Sequence, residues 1–389
     1  MNQPLFLHIV EKLEGFLGKL PATIQKPILH ELTPLKELFL QQRPPRFVFV
    51  GSSKLPLPEI LPAIIGFAAE ENRNALMEIF RWLDLKMDGQ GTITVLDARG
   101  ADESAVGNIR DELKSQAADI FFFVDDGDAS RPPRKREIEN LAVFLQWNEE
   151  VAPSAKIIGV SLFDLARNRA KDGGARSAAA EKQSTKLRTA LEEKASVRIH
   201  LAEIVPLPLG RKQSEKISNE SERLVALLTQ YLPNQARVEM LRISRDRAAQ
   251  TEVAQVLVKS TTAICAAIGA QPIPLADLPV LTTLQLVMVS GIMYLSGRER
   301  SLRAATEFMG ALGANVGAGM LLREGTRALL KFFPGWGNVV CGMVAGAGTY
   351  AIGRAAIVYF IEGVSLKDAK RTYLASRKKS SRSKEATRV

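Results

Sequence analysis

The chain has 389 residues, of which 46% are hydrophobic and 24% are charged, and its formal net charge is +10. This length predicts two or three domains, and the ordinary composition excludes collagen, low-complexity sequence and wholesale disorder. Two cysteines, and three histidines without metal-ligand spacing, argue against a disulfide scaffold and against a cysteine- or histidine-based metal site.

Residues 1–44 are predicted to form an amphipathic helical lead-in. The chain begins with apolar residues at helical spacing and reaches Glu11 without a preceding basic region, which favours an amphipathic helix over a secretory signal. Several prolines interrupt the pattern, and the run R-P-P-R at 43–46 ends it. Because no secretory signal is visible and cysteines are few, we expect the bulk of the chain to lie in the reducing cytoplasm.

Residues 45–233 alternate between strand patterns and helix patterns. Between Ile60 and Leu83 the pattern predicts a helix, and the strand patterns are RFVFVG at 46–51, TITVL at 92–96, DIFFFV at 119–124 and KIIGV at 156–160. Strands that are apolar on both faces occur in parallel sheets covered by helices on both sides. We predict an α/β domain of this kind, with its functional residues in the loops after the carboxyl ends of the strands.

Residues 234–366 change character and are predicted to form an all-α, glycine-rich domain. A charged amphipathic helix over Asn234–Val258 precedes three nearly charge-free stretches, Leu278–Gly297, Phe308–Leu322 and Phe332–Gly353. The first and third are long enough to cross a bilayer, and the pairs Gly313/Gly317 and Gly342/Gly346 predict close helix packing. The alternative interpretation is a soluble bundle of buried apolar helices.

The positive charge is concentrated at the carboxyl terminus. From Lys367 onward there are nine basic and two acidic residues, a net charge of +7, which leaves +3 for the first 366 residues. The basic, serine-rich tail 367–389 is predicted to be disordered and suits an anionic surface, either phospholipid headgroups or nucleic acid. A solubilising terminus is the alternative.

The loop after the first strand stands where a phosphate-binding loop would stand. Its candidate nucleotide-binding residues are Gly51, Ser52, Ser53 and Lys54. The motif G-x-x-x-x-G-K-[S/T] needs a second glycine, a lysine for the β/γ-phosphates and a hydroxyl for magnesium. Those three positions hold P-L-P at 56–58, and the two prolines also lack backbone N–H donors. The sequence therefore predicts lost or very weak triphosphate binding.

Two later strands end in further candidate site residues. Asp97 and Gly100 lie in D-A-R-G directly after TITVL, where phosphate-switch proteins hold magnesium with the aspartate and sense the γ-phosphate with the glycine amide. Asp164 ends S-L-F-D after KIIGV, where a guanine-reading loop carries Asn/Thr-Lys-x-Asp. Caps and turns are the alternative roles for these three residues. No metal site is predicted, except at Asp97 if magnesium binds, and Asp125-Asp126-Gly127-Asp128 is interpreted as a solvated loop.

In this order of elements the sequence resembles the Era/HSR1-like bacterial GTPases, a branch of the P-loop GTPase superfamily. Residues 265–370 are similar to an uncharacterised helical domain that follows bacterial GTPase domains and also occurs in inner-membrane proteins. The segments that carry this second resemblance are QPIPLAD at 271–277, AATEF at 304–308, FFPGWGN at 332–338 and GAGTYAIG at 346–353. The resemblance implies a P-loop GTPase-like sheet and membrane association, without an established reaction for the helical domain.

The expected function is a pseudo-GTPase-like adaptor or scaffold at the inner face of a bacterial membrane, or inserted through its carboxyl-terminal domain. Its partners would be membrane lipid, other membrane proteins or further copies of itself, and no cofactor is expected. One alternative is an active GTP hydrolase with an atypical phosphate loop that binds GTP or GDP with magnesium. Another is a soluble oligomeric scaffold whose tail binds nucleic acid, which is the less favoured partner.

Overall fold

The computed structural model describes residue 26 and residues 41–65, 80–87, 91–126, 135–164, 173–209, 219–270, 277–313 and 336–386. The chain forms two compact units: an α/β unit, Arg43–Ser244, and a second unit made of Met1–Gln42 and Arg245–Val389, called the helical unit after the described elements of Arg245–Val389. Nearly all of the predicted lead-in 1–44 lies outside the described residues.

The α/β unit contains one six-stranded sheet in the order β2-β3-β1-β4-β5-β6. All neighbouring strands are parallel except the edge strand β2, which is antiparallel to β3. The predicted fold class is therefore confirmed. The elements are β1 Arg46–Gly51, α1 Leu57–Ile65, β2 Trp82–Met87, β3 Gly91–Asp97, α2 Glu103–Ser115, β4 Ile120–Asp125, α3 Lys135–Glu149, β5 Lys156–Asp164, α4 Gly173–Glu192, α5 Ala195–Arg198, β6 Leu201–Leu209, α6 Asn219–Tyr231 and α7 Asn234–Ser244.

Both faces of the sheet are buried, which explains the continuous apolar strands in the sequence. Alternation along β1 places Phe47 and Phe49 in a core with α1, α6 and α7, and Val48 and Val50 in a core with α2, α3 and α4. Phe49 stacks on Phe122 of β4 with ring centroids 4.9 Å apart. The central strands are thus fixed from both sides, and the loops at their carboxyl ends start from a rigid base.

An ion pair ties β1 to β4 at the opposite, amino-terminal edge of the sheet. Arg43 donates Nη1 and Nη2 to the two carboxylate oxygens of the buried Asp119, at 2.7 and 2.6 Å. The backbone N–H of Arg46 also donates to Asp119, at 2.9 Å. Burial lowers the pKa of Arg46, the positive charge of Arg43 lowers it further, and Asp119 opposes the shift.

The structure differs from two of the predicted elements. The helix predicted over Ile60–Leu83 is described only as α1, which ends at Ile65, and Trp82 and Leu83 begin the edge strand β2; residues 66–79 lie outside the described residues. The single helix predicted over Asn234–Val258 is two helices, separated where Arg245 adopts a φ of 52°. The first of them, α7, buries apolar residues in the sheet's core, so the division between units falls after Ser244 rather than after residue 233.

The helical unit is built from α8 Arg247–Gly269, α9 Asp277–Leu295, α10 Leu302–Gly313, α11 Trp336–Ala356 and α12 Leu366–Ala386, with a π-helix at Ile357–Ile361. Within the described residues, Arg247–Gly269 and Gly342–Ile361 are long and apolar enough to cross a membrane. About half of the first segment and 61% of the second are buried inside the protein, as in core helices of soluble proteins. The predicted apolar stretch Phe308–Leu322 is described only to residue 313.

Glycines bring α11 into close contact with α8. A Cβ on Gly342 would lie 2.6 Å from the carbonyl oxygen of Ala266, and one on Gly353 would lie 2.5 Å from Val258. Gly346 faces the same helix, 3.1 Å from the Cβ of Ala266. The expectation that Gly342 and Gly346 permit close helix packing therefore holds, whereas Gly317 lies outside the described residues.

The tail predicted to be disordered is helical over Leu366–Ala386. Ser365 starts the helix, because its hydroxyl accepts the backbone N–H of Asp368 at 3.2 Å. Eight of the 21 residues of this helix are lysine or arginine, which favour helix, and Ala369 and Tyr373 are buried.

Candidate functional site

The candidate site is the loop that leaves β1 at the carboxyl-terminal edge of the sheet. Gly51 ends the strand with a φ of 102°, and a Cβ at this position would lie 2.4 Å from the carbonyl oxygen of Val124 in β4. Only glycine fits this turn. The N–H of Ser52 then donates to the same carbonyl at 2.8 Å, so the first amide of the loop is bonded to the sheet.

Arg99 is the central side chain of this site. It is buried, and its Nε and Nη2 donate to Oδ1 and Oδ2 of Asp97 at 2.8 and 2.7 Å. Its Nη1 donates to the carbonyl oxygens of Leu55 and Ser52 at 2.8 and 3.4 Å. One guanidinium therefore joins the end of β3 to the loop after β1.

A second ion pair connects the loop to the end of β4. The ammonium group of Lys54 contacts Oδ2 of Asp126, and the hydroxyl of Ser52 donates to the same oxygen at 3.3 Å. Asp125, the last residue of β4, accepts a hydrogen bond from Gln183 of α4 at 3.2 Å. The expected solvated loop is therefore wrong for Asp125, which belongs to β4; Asp126 does follow the strand but is paired with Lys54, and residues 127 and 128 lie outside the described part of the chain.

The D-A-R-G turn and the loop meet at Gly100. This residue has a φ of 70°, and a Cβ here would lie 2.9 Å from the hydroxyl oxygen of Ser53. Six of the seven candidate residues, Gly51 to Lys54 with Asp97 and Gly100, are thus gathered at one place. Asp164 ends β5 at the same edge of the sheet, and its side chain lies outside the described residues.

The residues present do not fit a magnesium-bound triphosphate. Both carboxylate oxygens of Asp97 already accept hydrogen bonds from Arg99. The two cations of the site, Arg99 and Lys54, are each paired with a carboxylate, and Glu59 adds a negative charge in the first turn of α1. A triphosphate carries several negative charges and needs unpaired donors around it. The described residues also include no group of three or more His, Cys, Asp or Glu placed to hold a metal ion.

Sequence reasoning missed the two residues that organise the site. Arg99 stood in the D-A-R-G motif without a role, and Asp126 stood in an acidic run. One sequence feature could have indicated the pair: an arginine two residues after an aspartate at the end of a strand can form a bidentate ion pair with that aspartate. Nothing in the spacing of the sequence indicated that the same guanidinium would reach a loop 44 residues earlier.

No protein-family model matches the chain. A protein of Magnetospirillum gryphiswaldense described as magnetosome membrane protein 22 is 30% identical to it over 132 residues, which cover 31% of this chain. The matched part is 66% of that protein's length, slightly less than two thirds.

Two solved structures of Toc33 from Arabidopsis thaliana are similar to the chain, one of a dimerization-deficient mutant and one in complex with GDP and Mg²⁺. Their sequence identities are 15% and 14%, and each comparison covers 59% of this chain and 96% of the other at a TM-score of 0.33. Independently of these similarities, the sheet of Arg43–Ser244, with its strand order and single antiparallel edge strand, has the arrangement of a P-loop GTPase fold.

Proposed function

We propose that the protein is a pseudo-GTPase-like adaptor that associates with a membrane, binds nucleoside triphosphates very weakly or not at all, and does not hydrolyse them. The observation that carries this proposal is the fork between Arg99 and Asp97. The side chain that would hold magnesium instead holds an arginine of its own chain. The Arg99 guanidinium thus neutralises the Asp97 carboxylate within the protein itself, without a bound metal ion.

The energetics of the loop support the same conclusion. Each charge-assisted hydrogen bond to a phosphate contributes about 1.5–3 kcal/mol. At the motif positions Leu57 replaces the lysine and Pro58 replaces the hydroxyl residue, and neither Pro56 nor Pro58 has a backbone N–H. Three lost contacts of this size would move a nanomolar-to-micromolar site to about millimolar affinity. Freeing Asp97 for a metal would in addition leave a buried guanidinium without its carboxylate.

Membrane association is supported by three features. Two described helices have the length and composition of membrane spans, the relative from Magnetospirillum gryphiswaldense is described as a membrane protein, and the carboxyl-terminal helix is strongly basic. An adaptor with a rigid α/β unit and a lipid-binding helical unit would hold a partner protein at the inner face of the membrane.

Phosphate release from GTP in the presence of magnesium tests the catalytic part. We expect the full-length protein and its Asp97→Asn variant to release phosphate at the rate of the protein-free blank. A wild-type rate above the blank that Asp97→Asn abolishes would instead establish the alternative, an active GTPase with an atypical loop.

Membrane fractionation of the full-length protein at low ionic strength tests the association. We expect the protein in the membrane pellet. Recovery in the supernatant would contradict membrane association and favour a soluble scaffold.

A further inference from the structure

The helical unit carries most of the exposed large apolar side chains of the described chain. Nine such residues are exposed, and six of them belong to this unit: Val256 on α8, Met343, Val344 and Tyr350 on α11, and Leu366 and Leu374 on α12. Met343, Val344 and Tyr350, hereafter the α11 patch, are 39–43% exposed. Isolated exposed apolar residues are ordinary, but a concentration of them on one helix marks an interaction surface.

The α11 patch is distinct from the surface that packs the bundle. Gly342, Gly346 and Gly353 recur at helical spacing and face α8. Met343 and Tyr350 are seven residues apart, two helical turns, and therefore share a different face of α11. The α11 patch is thus not part of the surface through which α11 packs against α8.

A basic helix packs against α11. The chain reverses at Gly363, where φ is 75° and the N–H of Val364 donates to Val358 at 3.2 Å, and α12 then packs on α11. Leu366–Ala386 contains eight basic and two acidic residues. Apolar side chains beside a strongly basic helix suit the boundary between anionic headgroups and acyl chains.

The same packing opposes a transmembrane arrangement of α11. Because α12 lies against α11, moving α11 through the hydrocarbon would carry the charges of α12 into it. Arg354 lies within the apolar segment itself, and Lys259 is exposed in the middle of α8, the other candidate span. A position at the interface leaves all of these charges in the headgroup region or in water.

Building on the membrane association proposed above, we infer that the α11–α12 hairpin lies in the interface of an anionic bilayer, with the α11 patch among the upper acyl segments and the basic residues of α12 on the headgroups. The helical unit then lies on the membrane and does not span it. Nucleic acid is the less suitable partner, since phosphate contacts do not require the apolar patch.

Flotation with sealed vesicles of phosphatidylethanolamine and phosphatidylglycerol tests this inference. We expect wild-type protein to bind, and Met343→Gln/Tyr350→Gln, which leaves the net charge unchanged, to bind about tenfold more weakly or worse. The matched control is Val143→Gln/Val151→Gln, which removes two exposed apolar side chains of the α/β unit and should bind like wild type. Lys378→Glu/Lys379→Glu should lose at least tenfold on these vesicles.

The outcomes separate this inference from the proposed function. Wild-type protein that does not float with vesicles contradicts membrane association itself. Wild-type flotation with full binding by Met343→Gln/Tyr350→Gln overturns only the role of the α11 patch. A dimer that forms without lipid and that Met343→Gln/Tyr350→Gln disrupts would assign the α11 patch to a contact with a second copy. DNA binding that Lys378→Glu/Lys379→Glu weakens as much as vesicle binding, and that Met343→Gln/Tyr350→Gln leaves intact, would assign α12 to nucleic acid. Both results overturn the inference.

The depth of the patch distinguishes interfacial from spanning arrangements. A nitrobenzoxadiazole label on Met343→Cys, in a Cys265→Ser/Cys341→Ser background, should brighten severalfold on vesicles. A shallow 5-doxyl lipid should quench it more than a deep 12-doxyl lipid. Stronger quenching by the deep lipid would place α11 in the hydrocarbon centre and overturn the interfacial arrangement.

Discussion

Replacement of Arg99 by alanine should destabilise the α/β unit strongly. The guanidinium makes four hydrogen bonds of 2.7–3.4 Å, two to Asp97 and one each to the carbonyls of Ser52 and Leu55. Its loss leaves a buried carboxylate without a counter-charge, a change that costs about 3–5 kcal/mol in free energy of unfolding. Arg99→Lys keeps the charge but not the fork, so we expect an intermediate loss.

Urea denaturation followed by tryptophan fluorescence measures this loss. A Trp336→Phe background leaves Trp82 and Trp147 as reporters, both in the α/β unit. Because Arg99→Ala leaves an unpaired carboxylate, Arg99→Ala/Asp97→Asn should recover part of the stability. A loss below about 1 kcal/mol for Arg99→Ala would show that the fork behaves like an exposed ion pair, and the reasoning about the site would be wrong.

Three further predictions concern stability. Asp119→Ala removes the acceptors of the Arg43 fork at the amino-terminal edge and should lower the urea unfolding free energy of the α/β unit by about 1.5–3 kcal/mol, since the Arg43 left behind is partly exposed; an unchanged midpoint would contradict this. Gly353→Val should destabilise the helical unit by about 1–3 kcal/mol through its clash with α8, whereas Gly348→Ala, with no atom within 4 Å of the new Cβ, should be neutral or stabilising in thermal melts. Asp102 caps the amino terminus of α2, and hydrogen bonds from the Ser104 hydroxyl and then from a backbone N–H of α2 lower its pKa in the folded protein. The stability that Asp102 contributes is therefore complete above its unfolded pKa and is lost as the pH falls through its folded pKa. Asp102→Asn should make the unfolding free energy fall less steeply at acidic pH, and an unchanged pH dependence would refute this role.

The α/β fold could be predicted because its strands are buried on both faces. Runs such as RFVFVG and DIFFFV have one physical explanation, a sheet covered by helices, and the parallel order follows from the alternation of strands with helices. The edge strand Trp82–Met87 does carry a strand signal, since Leu83, Leu85 and Met87 alternate with Asp84 and Lys86, but the run is short and directly follows the pattern that predicts a helix from Ile60 to Leu83.

The position of the candidate site was also predictable, but its internal contacts were not. Loops after parallel strands meet at one edge, so Gly51 to Lys54 and Asp97 were expected to converge. The contacts of Arg99 depend on how a long side chain bends across a 44-residue separation in sequence. The break at Arg245 was hidden for a related reason, because the helical pattern of Asn234–Val258 continues through a residue with a left-handed backbone.

Calorimetric titration of the full-length protein with GTP in excess magnesium tests most directly whether Arg99 and the proline-containing loop exclude a metal-bound triphosphate. We expect no saturable heat at micromolar nucleotide and, at best, a dissociation constant of about a millimolar. Saturable binding at micromolar concentration that requires magnesium, and that Asp97→Asn weakens, would mean that the carboxylate leaves its arginine for a metal, and it would contradict the account.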